Sequence, residues 1–164
     1  MKLALGADHG GYTLKNEILV FLKGQGHDTA DFGTFSADPC DYPAFAHKVA
    51  KAVSDKKADA GILICKSGNG MAIVANKFPG VRAAICFDKN VAMLSRQHND
   101  ANILVLGSEH LFDEPELIIK EWLAAGFEGG RHKRRVDQIA GIEKKICDTK
   151  KPAKASAGKA KKKK

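Results

Sequence analysis

Short apolar runs alternate with amphipathic stretches five times along the chain, and this alternation limits its fold more than any other feature. The apolar runs are residues 2–7, the weaker 27–32, 60–65, 81–87 and 102–106. Between and after them the spacing predicts helices. Residues 12–23 carry Leu14, Ile18, Leu19 and Leu22 at helical intervals, and Gly24 and Gly26 end that stretch. Asp41-Tyr42-Pro43 opens a second helix with Phe45, Val49 and Val53 four apart. Further helices are expected from Met71, over 88–97, over 115–125 with Leu117, Ile118 and Trp122, and over 131–147 with Val136, Ile139 and Ile146 on one stripe. Strand–helix alternation of this kind favours a parallel sheet covered on both faces. Ligands of such sheets gather at the carboxyl ends of the strands.

The third run leads into the most informative stretch, ADAGILICKSGNGMAIVAN. A buried strand ends at Cys65. Lys66-Ser67-Gly68-Asn69-Gly70 then forms a turn of mostly small residues that tolerate positive φ, and a helix follows. Free N–H groups at a helix start converge on such a turn and make an anion cradle. Cys65 and Ser67 stand at its lip, where backbone N–H groups favour a thiolate and hold a developing oxyanion. A base beside an oxyanion cradle suits removal of a proton next to a carbonyl. The same residues also suit an inert cysteine and an ordinary strand–helix turn.

Other candidates follow a strand, open a helix or, for His98, close one just before the fifth strand. Asp8-His9 precedes a glycine pair; the carboxylate suits proton transfer between sugar oxygens and the imidazole suits an anion, although Asp8 also suits a helix cap. Arg96-Gln97-His98-Asn99-Asp100 closes the fourth helix, where His98 suits general acid–base work or simply a cation at a helix C-terminus. In Gly129-Gly130-Arg131-His132-Lys133-Arg134-Arg135 the two arginines four apart share a helical face and suit a phosphate dianion, or a solvated basic face. Tyr42 suits stacking on a sugar or filling a loop. Together these are parts of a sugar-phosphate isomerase that works through an enediolate without metal.

Charge narrows the alternatives. The net +8 is carried by eight lysines after Thr149; without them, 19 basic residues face 19 acidic ones. Residues 1–148 are therefore not a basic nucleic-acid-binding domain. Residues 149–164 are expected to be a disordered, solubilising Lys-rich tail, with RNA or an anionic surface as a less favoured partner. Cys40, Cys65, Cys86 and Cys147 lack metal-ligand spacing, so no zinc site and no cofactor are expected. Scattered cysteines without a secretory signal point to a reducing cytoplasm, and no run has transmembrane length.

In order, GADHGGYTLK, DYPAFA, CKSGNGMAIVANKFPGVRAA, RQHNDANILVLG and FEGGRHKRRV resemble the ribose/galactose isomerase family, in its ribose-5-phosphate isomerase type B branch. The resemblance covers residues 2–142. It implies an α/β, three-layer αβα Rossmann-like domain with a five-stranded parallel sheet and a C-terminal helix used in dimerisation. It implies a homodimer, or a tetramer, with active sites shared between subunits. The activity implied is metal-independent interconversion of ribose 5-phosphate and ribulose 5-phosphate, a pentose phosphate pathway step. Cys65 then matches the base at C2 and C1, and Ser67 the hydroxyl beside the enediolate within the cradle of Gly68, Asn69 and Gly70. Asp8 matches the carboxylate near the sugar hydroxyls, His98 the ring-opening residue with Asn99 beside it, and Tyr42 the sugar-side aromatic. His9, Arg131 and Arg135, with His132 among them, match the phosphate contacts.

Cys65 places the chain with members that use a thiol base; another branch carries a glutamate base at the position of Met71. Three positions depart from the resemblance. Lys66 stands where glycine is usual and Asn69 where isoleucine is usual. Glu109, in LGSEH, stands where many members carry an arginine that serves the partner subunit's site; His110 beside it is a partial stand-in. These positions leave two alternatives: an isomerase of a hexose 6-phosphate such as allose or galactose 6-phosphate, or a catalytically weak sugar-phosphate-binding protein.

Overall fold

The computed structural model describes residues 1–149; the tail beyond Thr149 lies outside the described residues. Five parallel strands, β1 (Lys2–Ala7), β2 (Asp28–Asp31), β3 (Ala60–Cys65), β4 (Ala83–Ile85) and β5 (Ile103–Gly107), form one sheet in the order β2-β1-β3-β5-β4. The helices are α1 (Tyr12–Gly24), α2 (Tyr42–Ser54), α3 (Asn69–Ala75), α4 (Lys89–Asn99), α5 (Pro115–Ala124) and α6 (Gly130–Thr149).

Side-chain alternation along the strands separates two cores. Leu3, Leu5, Ile62, Ile64, Leu104 and Leu106 face α1, α4 and α5, where Ile18, Leu22, Ala92, Ile118 and Trp122 are buried. Ala4, Leu63, Cys65, Ile103 and Val105 face α2 and α3, among Val49, Val53, Met71 and Ala75. Every residue of β3 is buried, as a strand covered on both faces requires. The thiol of Cys65 thus enters the α2/α3 layer, beneath the start of α3.

Several boundaries differ from the sequence reading. β4 has three residues instead of seven because it is an edge strand that pairs only with β5. α3 starts at Asn69, two residues early, because Gly68 supplies the left-handed N-cap at φ +80°. Asp88 is the N-cap of α4 rather than its first residue, accepting from the N–H groups of Asn90 and Val91 at 2.8 Å. α6 begins at Gly130 and continues to Thr149, past the expected end at 147.

Candidate active site

At the carboxyl end of β3, the Gly68 N–H donates to Cys65 Sγ at 3.1 Å. This bond curls the turn back over the sulfur and aims a backbone donor at it. The Asn69 N–H reaches Ser67 Oγ at 3.4 Å, placing the hydroxyl on the same lip. Gly70 gives room to the Tyr42 ring, which packs on the first turn of α3; a methyl there would displace the outer end of that ring. Cys86 is the contrast case, since burial pushes its thiol up to about 11 and leaves an inert core cysteine.

β1 delivers Asp8 to the same edge, because Ala7 pairs with Ile64. The Asp8 carboxylate accepts from Gly10 N–H at 2.9 Å and Gly11 N–H at 3.2 Å, both at Oδ1. The capping role is therefore real, and it leaves Oδ2 uninvolved in those bonds. The Cys40 N–H donates to His9 Nδ1 at 3.2 Å. That bond assigns the neutral ring's proton to Nε2, so His9 is a donor there. Beside the cradle, Ser67, Asn69, Phe87, His110 and Phe112 line a cavity of about 320 Å³.

The remaining candidates lie at the opposite end of the sheet. His98 and Asn99 close α4 just before β5, and β5 begins where Ile103 pairs with Gly61. From Gly61 to Cys65 the strand rises about 13 Å, at roughly 3.3 Å per residue. One chain therefore joins Asp8, His9, Tyr42, Cys65, Ser67, Gly68, Asn69 and Gly70 at one edge. It joins His98, Asn99, Arg131 and His132 at the other, with Arg135 one turn further along α6.

In this second group the rings of His98 and His132 stack, 4.1 Å apart and within 1° of parallel. Glu128 Oε2 lies 3.8 Å from His98 Nε2 and 3.6 Å from His132 Nε2. Arg131 Nε–H donates to His132 Nε2 at 3.2 Å. His132 is only 5 % exposed. Burial, then the charges of His98 and Arg131, hold it below the usual histidine range, against the opposing pull of Glu128. The geometry makes it a platform beneath His98. Among the described residues these three side chains offer donor atoms within 4.8 Å of one another, as a metal would need. Arg131, however, occupies the His132 lone pair and places a cation there, which opposes a metal.

His98 is not needed as a helix-end cation. Arg82 Nε donates to the Asn99 and Asp100 carbonyls at 3.0 and 2.8 Å, and Arg96 donates to the Ala101 carbonyl at 2.7 Å. Sequence reasoning missed Glu128 and Arg82. Glu128 lies in the irregular segment just before α6, so helical spacing gives no signal for it; it reaches His98 and His132 only through the way that segment leads into the helix.

Known proteins share this fold and sequence. A family model described as Ribose/Galactose Isomerase matches residues 3–139. Ribose-5-phosphate isomerase B of Escherichia coli is 46 % identical over 145 residues, covering 88 % of this chain and 97 % of the relative. The solved ribose-5-phosphate isomerase B of Clostridium thermocellum superposes with a TM-score of 0.86 at 51 % identity, covering 89 % of this chain and 99 % of that one. That of Mycoplasma genitalium, solved with bound ribulose-5-phosphate, gives 0.84 at 42 % identity, covering 87 % and 96 %. No described helix is long and apolar enough to cross a membrane. With its Gly-cradled thiol at the carboxyl edge of a five-stranded parallel sheet, the chain belongs to the ribose/galactose isomerase family and is a sugar-phosphate isomerase.

Proposed function

We infer that the chain interconverts D-ribose 5-phosphate and D-ribulose 5-phosphate through a cis-enediolate, with Cys65 as the base. The observation that carries this reading is the Gly68 N–H donated to Cys65 Sγ at the mouth of the cradle. His98 opens the furanose ring. The Cys65 thiolate then removes the proton from C2, and the C–H electron pair becomes the C1=C2 bond as charge passes to the C1 oxygen. Ser67 and the N–H groups about Gly68 and Gly70 hold that charge. Asp8 carries protons between the sugar oxygens, and Cys65 returns its proton to C1. Arg131 and Arg135, with His9, hold the phosphate. His132 and Glu128 hold the His98 ring in place.

The separation of the two groups supports a site shared by two copies. A two-fold pairing that sets the carboxyl edge of one chain against the amino edge of another completes two sites at once. α6 offers the apolar surface for it: Ile139, Ile142 and Ile146 are 50 %, 59 % and 51 % exposed. They border a groove of about 620 Å³ between α6 and β4.

The deciding experiment is turnover of ribose 5-phosphate with EDTA present, beside allose 6-phosphate and galactose 6-phosphate. The expected result is efficient turnover of the ribose compound and its loss in Cys65→Ala, with substrate binding retained. Turnover of a hexose phosphate alone would keep the mechanism and change the substrate. Near-normal rates in Cys65→Ala would remove the thiol from the reaction.

A further inference from the structure

Lys66 and Glu109 have no part in the chemistry above, yet they meet at its edge. Lys66 Nζ lies 3.3 Å from Glu109 Oε1. The Glu109 N–H donates to the Lys66 carbonyl at 3.2 Å. Next to it, the Ser108 N–H donates to the Cys65 carbonyl and the Ser108 hydroxyl to the Gly10 carbonyl, both at 2.9 Å. The Lys66 stem crosses Gly10 so closely that a methyl on Gly10 would strike its Cγ. The pair thus bridges the loops after β3 and β5, across the turn that carries Asp8 and His9.

Stability does not account for it. The two side chains are 60 % and 56 % exposed, and ion pairs in such settings contribute little. The backbone bonds already join the loops. What the pair does control is charge beside Cys65. A carboxylate alone would repel an entering anion, an ammonium alone would attract it, and the two together nearly cancel.

We propose that Lys66 is an anion contact of the substrate mouth and that Glu109 competes with the substrate for it, so that the pair sets the affinity for sugar phosphates. The proposal rests on an anionic sugar phosphate being the substrate. An entering sugar phosphate draws the ammonium from Glu109 by rotation about the lysine stem, with no backbone change. Because the substrate's charge is present in both the bound ground state and the transition state, the effect falls on KM more than on kcat.

The test compares wild type, Lys66→Met, Glu109→Gln and the double variant. Methionine keeps an unbranched stem over Gly10, and glutamine keeps the backbone N–H on the Lys66 carbonyl. At low salt Glu109→Gln should lower KM for ribose 5-phosphate, and Lys66→Met should raise it, each by about threefold, the scale of one partly screened surface charge. The double variant should fall between them, and the differences should shrink as salt shortens the screening length. Singles that move KM the same way, that leave it unmoved, or whose shifts ignore salt would overturn the proposal. If wild type does not turn over ribose 5-phosphate, the substrate reading fails by itself. Calorimetric affinity for inorganic phosphate then decides: tightest in Glu109→Gln and weakest in Lys66→Met supports the proposal, and any other order overturns it.

Discussion

His132 lies face to face with His98, with the Arg131 guanidinium on its outer nitrogen and Arg135 further along the same helix. Burial and these neighbours lower its pKa in the folded chain, whereas an unfolded chain takes the proton near the ordinary value of 6.5. As pH falls through that value, the unfolded state binds the proton more readily than the native state does, so native stability is lost. His132→Phe keeps a flat ring under His98 and cannot titrate. Urea unfolding on either side of pH 6.5 should show a smaller acid loss in this variant than in wild type; equal losses would assign the effect to another group. At this scale the placement of Cys65 at the end of β3 and of Ser67 in the turn before α3 was legible, because a strand, a glycine turn and a helix set it without further information. The stacking of His98 on His132 was hidden, since it depends on how α6 docks against α4 across 34 residues of chain. The pairing of Lys66 with Glu109 was hidden for the same reason: opposite charges on two loops meet only once the strand order is known.

Among the elements, α3 is the shortest of the α-helices and the most constrained. Gly68 caps it in a conformation that disfavours side chains, and Gly70 lies under Tyr42 from the start of α2. Gly70→Ala should push Tyr42 away, destabilise the chain by roughly 1–3 kcal/mol as overpacking does, and cut turnover. Adding Tyr42→Ala should restore stability in thermal unfolding without restoring turnover, because the sugar-side ring is gone. Failure of the second change to recover stability would mean that the clash is not with Tyr42. α3 begins two residues before Met71, where its apolar periodicity begins, because the cap that starts the helix is set by a backbone angle. β4 is shorter than its apolar run for a related reason: residues 81–87 are apolar enough for a central strand, but at the sheet edge only three of them pair.

For the whole molecule, the alternation of strands and helices was enough to foresee one parallel sheet with helices on both faces. The order β2-β1-β3-β5-β4 was not foreseeable, whereas the position of His98 follows from the parallel sheet itself: it closes α4 just before β5 and so lies at the amino end, away from Cys65. On the shared-site reading, Cys65→Ala and His98→Asn fail in opposite halves. Mixing the two inactive variants under conditions of subunit exchange should restore about a quarter of wild-type activity, since half the dimers are mixed and each mixed dimer has one intact site. No recovery, with exchange shown by mass spectrometry, would place the whole site in one chain. The same arrangement has a consequence for the protein at low abundance. If catalysis exists only where two copies meet, output grows faster than the amount of chain until pairing saturates. A loss of specific activity on dilution then signals parting of the subunits while each chain remains folded.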